Sequence, residues 1–298
     1  MPKLKLPATL LAVAALALLG CASAAATERP LFPVTIEAAN GTVRIAKRPT
    51  RIVSLSPTAT EDLYAVGAGR QVIAVDEQSD FPKRAPRTKL SGFTPNVEAI
   101  AGYRPDLVVV HSDASVAELE RLGITVLQLP AAGSLAHAYA QVRQIGRATG
   151  HPRKAASVIR WMRARIAAAV RSVQGRTGRL TVYHELTTDY YSATSGTFIG
   201  QIYKLLGLRN IADAAGGASP YPKLAAEYVI AADPDVIVLA DSKCCGQSYA
   251  TVAARPGWDT ITAVRERRVV AMDDDVASRW GPRVVAFVRA VAAAVRRS

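Results

Sequence analysis

The stretches EAIAGYRPDLVVV (residues 98–110) and EYVIAADPDVIVL (residues 227–239) carry one unit twice. Each has a glutamate, six further residues, a Pro-Asp pair and then a run of apolar residues. Proline ends a helix and aspartate favours a turn, so each unit predicts a helix, a tight turn and a buried strand. The repeat therefore predicts two similar α/β lobes within one chain.

Short apolar strands alternate with helical segments around both copies of the unit. Continuously apolar strands of this length are typical of a parallel sheet that is covered on both faces. The predicted strands are RIVSL (51–55), QVIAV (71–75), DLVVV (106–110), ITVLQL (124–129), LTVYHEL (180–186) and RVVAMD (268–273). The fold class is therefore α/β, with a mostly parallel central sheet in each lobe.

One segment, PRKAASVIRWMRARIAAAVRSV (152–173), differs from the rest because it predicts a single long helix. It has no glycine, and Val158, Met162 and Ile166 recur at helical spacing. At 1.5 Å per residue the helix is about 33 Å long, which is enough to cross a domain. The predicted organisation is a first lobe at 27–150, a connecting helix at 151–174 and a second lobe at 175–298.

The first 26 residues, MPKLKLPATLLAVAALALLGCASAAA, have the layout of a secretory signal peptide. Their apolar run is shorter than the roughly 20 residues that a membrane span needs. Leu18 to Cys21 resembles a bacterial lipobox, which would place a lipid on Cys21, whereas Ala22 to Ala24 suits ordinary signal peptidase. We expect an exported protein, periplasmic or at the cell surface, and prefer the form anchored through Cys21.

The formal net charge is +13, which raises the question of an anionic partner. The arginines are spread over every segment and few stand beside aromatic residues, so we expect no nucleic-acid partner. Cys244 and Cys245 are adjacent and close no long loop. Three interpretations stay open: a vicinal disulfide, which we prefer, a pair of buried thiols, or a thiolate metal ligand.

No enzyme motif is present. His184 and Glu185 begin like a zinc motif, but no second histidine follows one turn later. The run Asp273 to Asp275 could hold a cation, yet such runs more often cap a helix. We therefore expect no catalysis, no resident cofactor and no bound metal. The alternative from another class is a metal-dependent enzyme that uses His111 or His184 with this aspartate run.

Aromatic, hydroxyl and cationic residues instead collect in loops that follow predicted strands, where α/β sheets place their ligands. Flat rings and a guanidinium suit a large, partly apolar ligand that carries carbonyl, carboxylate or phosphate groups. We expect this ligand in a cleft between the two lobes. The candidate ligand-binding residues are Phe93, His111, Tyr190, Tyr191, Tyr221, Arg279 and Trp280.

Several stretches together resemble a known family. RIVSLSPTATEDLYAVGAG, LSGFTPNVEAIAGYRPDLVVV, SPYPKLAAEYVIAADPDVIVL and SRWGPR are similar to the helical-backbone (class III, cluster A) substrate-binding proteins of ABC importers for cobalamin, haem and ferric siderophores. The resemblance runs from about Val43 to the end of the chain. It implies two lobes bridged by one helix, a small closure on ligand, a monomer, and docking on permease arginines through Glu98 and Glu227.

Within that family the sequence is most similar to the cobalamin binders. Tyr221 stands where those proteins have a ring-stacking aromatic, Arg279 matches a cleft arginine, and Phe93 falls near another cleft aromatic. Gln78 and His111 depart from the pattern, because they stand near positions that are aromatic in the cobalamin binders. The resemblance thus favours a corrinoid ligand held by a thinner aromatic cage.

Two other ligands stay open within the family. A ferric siderophore is anionic, and Arg279 with Tyr190 and Tyr191 would suit it. Haem would need an axial ligand, which Tyr190, Tyr191 or His111 could supply.

Overall fold

The first copy of the repeated unit ends in a strand of a five-stranded parallel sheet. The computed structural model describes Met1, residues 31–215 and residues 217–297; Cys21 and the other residues of the predicted signal peptide after Met1 lie outside the described residues. The sheet order is β5-β4-β3-β6-β7, and β6 is the strand of the first copy. These strands are β3 (Ile52–Leu55), β4 (Val72–Asp76), β5 (Arg87–Leu90), β6 (Leu107–Val110) and β7 (Val126–Gln128), preceded by the antiparallel hairpin of β1 (Val34–Ala38) and β2 (Gly41–Ile45).

The second copy ends in a separate, four-stranded parallel sheet of order β11-β10-β8-β9. Its strands are β8 (Thr181–Glu185), β9 (Arg209–Asn210), β10 (Val236–Leu239) and β11 (Val269–Ala271). Two sheets, each all-parallel, confirm the predicted α/β class with two lobes. In both copies the four strand residues are buried, as continuously apolar strands require.

The helices cover these sheets and join them. They are α1 (Pro57–Ala65), α2 (Val97–Gly102), α3 (Val116–Arg121), α4 (Leu135–Ala148), α5 (Pro152–Arg171), α6 (Phe198–Leu205), α7 (Ala226–Ala232), α8 (Ser242–Cys245), α9 (Tyr249–Ala253), α10 (Thr262–Arg265), α11 (Asp274–Ser278) and α12 (Val284–Val295). Within the described residues, none is both long and apolar enough to cross a membrane.

The aspartate of each Pro-Asp pair does more than favour a turn. Asp106 accepts hydrogen bonds from the backbone N–H groups of Thr50 (2.8 Å) and Arg51 (2.9 Å), just before β3. Asp235 accepts from the backbone N–H of Thr181 (2.8 Å), the first residue of β8. In both lobes the carboxylate therefore ties the start of one strand to the start of its parallel neighbour, where N–H groups would otherwise lack partners.

The long helix α5 lies between the two lobes, as predicted. Its 20 residues span about 30 Å, and it ends at Arg171 with Ser172 as its C-cap, two residues before the predicted end at Val173. Pro152 occupies its first turn, where a missing N–H costs nothing. The helix packs on α4 and α12.

A single apolar cluster runs from the first sheet through α5 to the second sheet. It includes Ile52 and Leu107 of the first sheet, Met162 of α5, and Val182 and Val236 of the second. All five side chains are completely buried. Because interiors are close-packed, moving one lobe against the other would disturb this cluster.

Helix α4 was not predicted, although the signal is present. Ala138, Val142 and Ile145 recur at helical spacing, and Ser134 caps the helix by accepting a hydrogen bond from the His137 N–H. A Cβ atom at Gly146 would lie 2.3 Å from the Cβ of Ala155, so glycine is required where α4 approaches α5. The β1–β2 hairpin was also missed, although Ile36, Val43 and Ile45 are buried and alternate with exposed residues, as in a strand with one covered face.

We expect Met162→Ala to lower the free energy of unfolding by about 2–5 kcal/mol, since it leaves a cavity in the cluster that joins the lobes. Urea denaturation followed by circular dichroism would measure this. Lys154→Ala, on the exposed side of the same helix, is the control and should change it by less than about 0.5 kcal/mol. Equal effects of the two substitutions would contradict a shared core.

Candidate ligand-binding cleft

A cavity of about 230 Å³ lies at the carboxyl ends of the first-lobe strands. Ser56 follows β3, Asp76 ends β4, Gly92 follows β5 and His111 follows β6. The second lobe contributes the segment just before α12. Four of the seven candidate ligand-binding residues line this cavity: Phe93, His111, Arg279 and Trp280.

Phe93 and His111 form one wall of the cavity. Their ring centroids lie 5.7 Å apart in an edge-on arrangement, and Phe93 is 72% exposed. His111 Nδ1 donates to the Leu55 carbonyl oxygen (3.2 Å), so the proton sits on Nδ1 and Nε2 keeps its lone pair in the neutral ring. A Cβ at Gly92 would lie 2.8 Å from the same carbonyl oxygen, so a larger residue there would displace this wall.

Arg279 and Trp280 also line the cavity, and both are fixed by first-lobe residues. Trp280 Nε1 donates to Gln141 Oε1 on α4 (2.8 Å). The Arg279 side chain is only 10% exposed, and its guanidinium donates to the Gln78 carbonyl oxygen (2.9 Å). Arg279 also pairs with Glu61, at 3.3 Å between Nη1 and Oε1. Its charge is therefore balanced within the chain while it lines the cavity.

These contacts belong to a larger inter-lobe ion network. We use this name for two first-lobe acids, Glu61 and Asp80, and four second-lobe residues, Lys243, Asp275, Arg279 and Arg283. Lys243 Nζ lies 2.5 Å from Asp80 Oδ2 and 2.5 Å from Asp275 Oδ2. Glu61 Oε1 accepts from Arg283 at 2.6 Å. The network links the lobes beside the cavity, outside the apolar cluster.

The charges of the network shift the titration of its members. Burial opposes ionisation of Asp80, but the hydrogen bond from Lys243 and the charge of Arg279 outweigh it and lower the pKa of Asp80 to about 2. Hydrogen bonds to Asp275 and Asp80 raise the pKa of Lys243. The Lys243–Asp80 contact between the lobes is therefore ionised at neutral pH.

The remaining candidate residues, Tyr190, Tyr191 and Tyr221, lie on the second lobe and do not line the 230 Å³ cavity. Tyr191 is 41% exposed and Tyr221 is 47% exposed. Their two segments run side by side, because the N–H of Ser192 donates to the Pro222 carbonyl oxygen (2.9 Å). Tyr191 and Tyr221 therefore lie on neighbouring segments, and both expose an aromatic ring to solvent.

Tyr190 differs from the two other tyrosines because it packs inward. Its ring stacks on Trp258 with 5.8 Å between centroids, and the Arg255 guanidinium lies 5.4 Å from the Tyr190 ring. Its φ of 66° is in the left-handed region, which turns the chain at this point. Tyr190 thus supports the loop that carries Tyr191.

A further group of polar residues, which was not predicted from the sequence, lies at the carboxyl ends of β8 and β10. Arg255 donates to both oxygens of Glu185 at 2.6 Å and also to Gln247 Oε1 at 2.7 Å. Asp241, two residues after β10, is completely buried, and neither of its oxygens accepts a hydrogen bond from the described residues. An aspartate at the end of the apolar run that includes β10 and Ala240 was the signal that could have identified Asp241.

Burial raises the pKa of Asp241 to about 7, and the negative charge of Glu185 adds to the shift. The raised value means that Asp241 is partly protonated near neutral pH. The hydroxyl of Tyr183 donates to Glu185 Oε2 (3.1 Å), so Glu185 accepts hydrogen bonds from both Tyr183 and Arg255. At the carboxyl end of β8, the guanidinium of Arg255 is therefore already paired with Glu185.

Cys244 and Cys245 are joined by a disulfide in α8. The neighbouring backbone is held by Asp274, which accepts from the N–H groups of Lys243 and Cys244, both at 2.8 Å. Asp273 caps α11, and Asp275 belongs to the inter-lobe ion network. Each carboxylate of the aspartate run therefore has a role inside the fold.

The histidines occupy separate places. His184 is buried in β8, its Nδ1 lies 2.5 Å from the Tyr203 hydroxyl, and burial lowers the pKa of His184 to about 3. His151 contacts Gln71 and Arg48, and His137 lies on α4 near Gln141. Among the described residues, no group of three or more His, Cys, Asp or Glu side chains could hold a metal ion.

Glu98 and Glu227 occupy equivalent places in the two copies of the repeated unit. Each lies in the first turn of the short helix, α2 or α7, that precedes a central strand. Both side chains are exposed, and neither carboxylate has a hydrogen bond or ion pair with a described residue. An acidic side chain in a first turn matches the helix dipole.

The fold and the cavity together define a class: a two-lobed α/β receptor with its cleft at the lobe junction. A model of the family described as periplasmic binding protein matches residues 52–276. The chain belongs to the periplasmic binding protein family. This result confirms the resemblance that the sequence stretches indicated.

Two relatives of known sequence cover most of the chain. An uncharacterized ABC transporter substrate-binding lipoprotein of Bacillus subtilis, YvrC, is 30% identical over 308 residues, which cover 96% of this chain and 95% of that protein. A cobalamin-binding protein of Halobacterium salinarum is 34% identical over 265 residues, which cover 85% of this chain and 72% of that protein.

Solved structures of the family share the fold. The periplasmic heme-binding protein RhuT from Roseiflexus sp. RS-1 superposes with a TM-score of 0.69 at 27% identity, covering 82% of this chain and 97% of RhuT. The periplasmic vitamin B12-binding protein BtuF of Vibrio cholerae has a TM-score of 0.67 at 24% identity, covering 83% of this chain and 97% of BtuF. The second likeness concerns the fold alone.

We expect Asp241→Asn to flatten the pH dependence of stability. The unfolded chain loses this proton near the ordinary pKa of 3.8, whereas the folded carboxyl keeps it to about pH 7. The free energy of unfolding therefore falls as the pH rises between these values, by up to about 4 kcal/mol. The variant should gain stability over the wild type at about pH 8 and lose this advantage at about pH 4.

Urea denaturation at a series of pH values would measure this effect. Asp113→Asn, at an exposed aspartate, is the matched control and should follow the wild-type curve. If Asp241→Asn also followed that curve, the buried carboxyl would not control the pH dependence.

Proposed function

We propose that this protein is the exported substrate-binding protein of an ABC importer and that it captures a corrinoid, most specifically cobalamin, for delivery to the permease. The observation that carries the proposal is the exposed ring of Phe93 in the lining of a cavity at the lobe junction, to which both lobes contribute residues. Aromatic faces suit a flat macrocycle. The 34% identical relative named as a cobalamin-binding protein supports this ligand.

The size of the cavity bears on how such a ligand would sit. At about 230 Å³ it is smaller than the roughly 300–1,000 Å³ of pockets for drug-sized molecules. A corrinoid would therefore extend beyond it, with Phe93 against one part of the ligand and Tyr191 and Tyr221 of the second lobe against another. Because the charge of Arg279 is already balanced by acids, its side chain would contact the ligand mainly through van der Waals packing.

A haem or ferric-siderophore ligand is the second candidate. The 27% identical structure of a heme-binding protein favours haem, and His111 offers an Nε2 lone pair on the cavity wall. A siderophore is less favoured, because Arg279 already pairs with Glu61 and Asp275. In each case the protein binds and releases its ligand without chemistry, as a monomer. The metal-dependent enzyme has no support in the described residues.

We also propose that Glu98 and Glu227 dock on the permease. Their exposure, their lack of partners within the described residues and their equivalent places in the two lobes support this role. A lipid on Cys21 would hold the receptor near the membrane, and the lipoprotein relative supports that anchor. Two equivalent acidic points would let the permease contact both lobes at once.

Titration calorimetry of residues 27–298 against cobalamin, cobinamide, haemin and a panel of ferric siderophores would test the ligand. We expect tight binding of a corrinoid, and Phe93→Ala should weaken it about tenfold or more, since a stacked ring is lost. Leu122→Ala, at an exposed apolar residue of the first lobe outside the cavity, is the control and should leave the affinity unchanged.

Tight siderophore or haemin binding with no corrinoid binding would overturn the ligand assignment. An unchanged affinity of Phe93→Ala would instead show that the cavity is not the site.

We expect the double substitution Glu98→Ala and Glu227→Ala to abolish ligand uptake by cells while leaving ligand affinity unchanged. Uptake of labelled ligand and calorimetry with the purified variant would measure the two properties separately. The pair Glu118→Ala and Glu120→Ala, exposed acids of α3, is the charge-matched control. If the first double variant lost ligand affinity, the two glutamates would take part in ligand binding and the docking role would be contradicted.

A further inference from the structure

A long part of the chain contains cations and no acids. From residue 121 to residue 184 there are ten arginines and one lysine but no aspartate or glutamate. No acid follows Asp275, although five more arginines do. The first segment contains α4 and α5, and the second contains α12. Many of the arginines therefore lie in segments that contain no acid, and the proposed ligand site does not explain them.

The fold brings these segments together, because α5 packs on both α4 and α12. We call the exposed sides of α5 and α12 the basic face, with the exposed cations Lys154, Arg160, Arg163, Arg165, Arg171 and Arg289. Arg160, Arg165 and Arg289 have no acidic partner in the described part of the chain. Their charges are thus available to an external anion.

The basic face also has a groove and an aromatic side chain. Between α5 and α12 lies a cavity of about 580 Å³ with Arg165, Arg289 and Arg296 around a floor of alanines. Trp161 is 46% exposed and stands one turn before Arg165, on the same side of α5. Cations around a shallow apolar groove, with a tryptophan beside them, suit an anion attached to apolar chains.

We propose that the basic face binds the anionic phospholipid headgroups of a bilayer surface. Arginine matches phosphate geometry, and each cation near an anionic bilayer strengthens binding about fivefold. Tryptophan favours the boundary between headgroups and acyl chains. A nucleic acid would satisfy the arginines but would give the alanine floor no apolar partner. The lipid surface is therefore the partner that accounts for all three features.

This interaction is separate from the proposed function of the cleft. Glu98 and Glu227 lie in the first turns of α2 and α7, whereas the basic face belongs to α5 and α12. The receptor thus has acidic docking positions and basic membrane-binding positions on different elements. Binding to lipid would keep the receptor at the membrane surface, so that it would reach the permease by diffusion in two dimensions.

Vesicle co-sedimentation would test the proposal, with residues 27–298 because Leu31–Ser298 forms a compact unit and the apolar leader would itself bind lipid. We expect binding to vesicles that contain roughly one third phosphatidylglycerol, and none to pure phosphatidylcholine. Binding should be lost between about 50 mM and about 500 mM NaCl, because salt screens the attraction.

The triple substitution Arg160→Gln, Arg165→Gln and Arg289→Gln should weaken binding about 100-fold, from three cations at about fivefold each. The control Lys47→Gln, Lys83→Gln and Lys89→Gln removes the same charge from exposed positions outside both helices and should change binding less than about threefold. Fluorescence quenching by a brominated phosphatidylglycerol should fall in Trp161→Phe, since Trp161 is the tryptophan on this face.

Three results would overturn the proposal: no sedimentation with phosphatidylglycerol at low salt, an equal loss in the control variant, or tighter binding to duplex DNA than to vesicles under the same conditions. Thermal unfolding of each variant verifies that it is folded. None of these measurements uses the cleft ligand, so failure here leaves the proposed transport function untouched.

Discussion

The apolar stripe of α5 is the constraint on which the rest of this structure depends. Ala155, Ile159, Met162, Ile166 and Ala169 are buried along one side of the helix, and the cluster they join reaches both sheets. Because this core is continuous and close-packed, the lobes cannot move far apart without exposing it. A cleft built on such a frame is largely formed before any ligand arrives, which lowers the conformational cost of binding.

The inter-lobe ion network adds a second connection of a different kind. A buried ion pair such as Arg279–Glu61 contributes little net stability, because desolvation offsets its attraction, but the hydrogen bonds of a guanidinium are directional. Here the network holds Arg279 and its neighbour Trp280 against the first lobe at the cavity wall. The apolar cluster thus joins the lobes, while the ion network sets the shape of the cavity between them.

Features that depend on neighbouring residues were predicted correctly, whereas contacts between residues far apart in the chain were missed. The central strands were predicted because a run of buried apolar residues is a local pattern. Phe93 and His111 come together at the cavity because both follow strands of one parallel sheet, whose carboxyl ends lie at one edge. Arg255 was missed because its partner, Glu185, lies 70 positions earlier in the chain. Arg279 was assigned to a ligand, yet its charge is met by Glu61 and Asp80 of the first lobe and by Asp275 of its own lobe.

The sequence by itself determined the α/β class, the repeated unit and the long helix, because each rests on local periodicity and composition. Only the tertiary structure decided which of the candidate residues share a cavity, how the charges of Glu61, Asp80 and Arg279 are used, and that scattered arginines gather on one face. The physical reason is that electrostatic contacts depend on separation in space, and residues far apart in the chain become neighbours only when the sheets and helices pack.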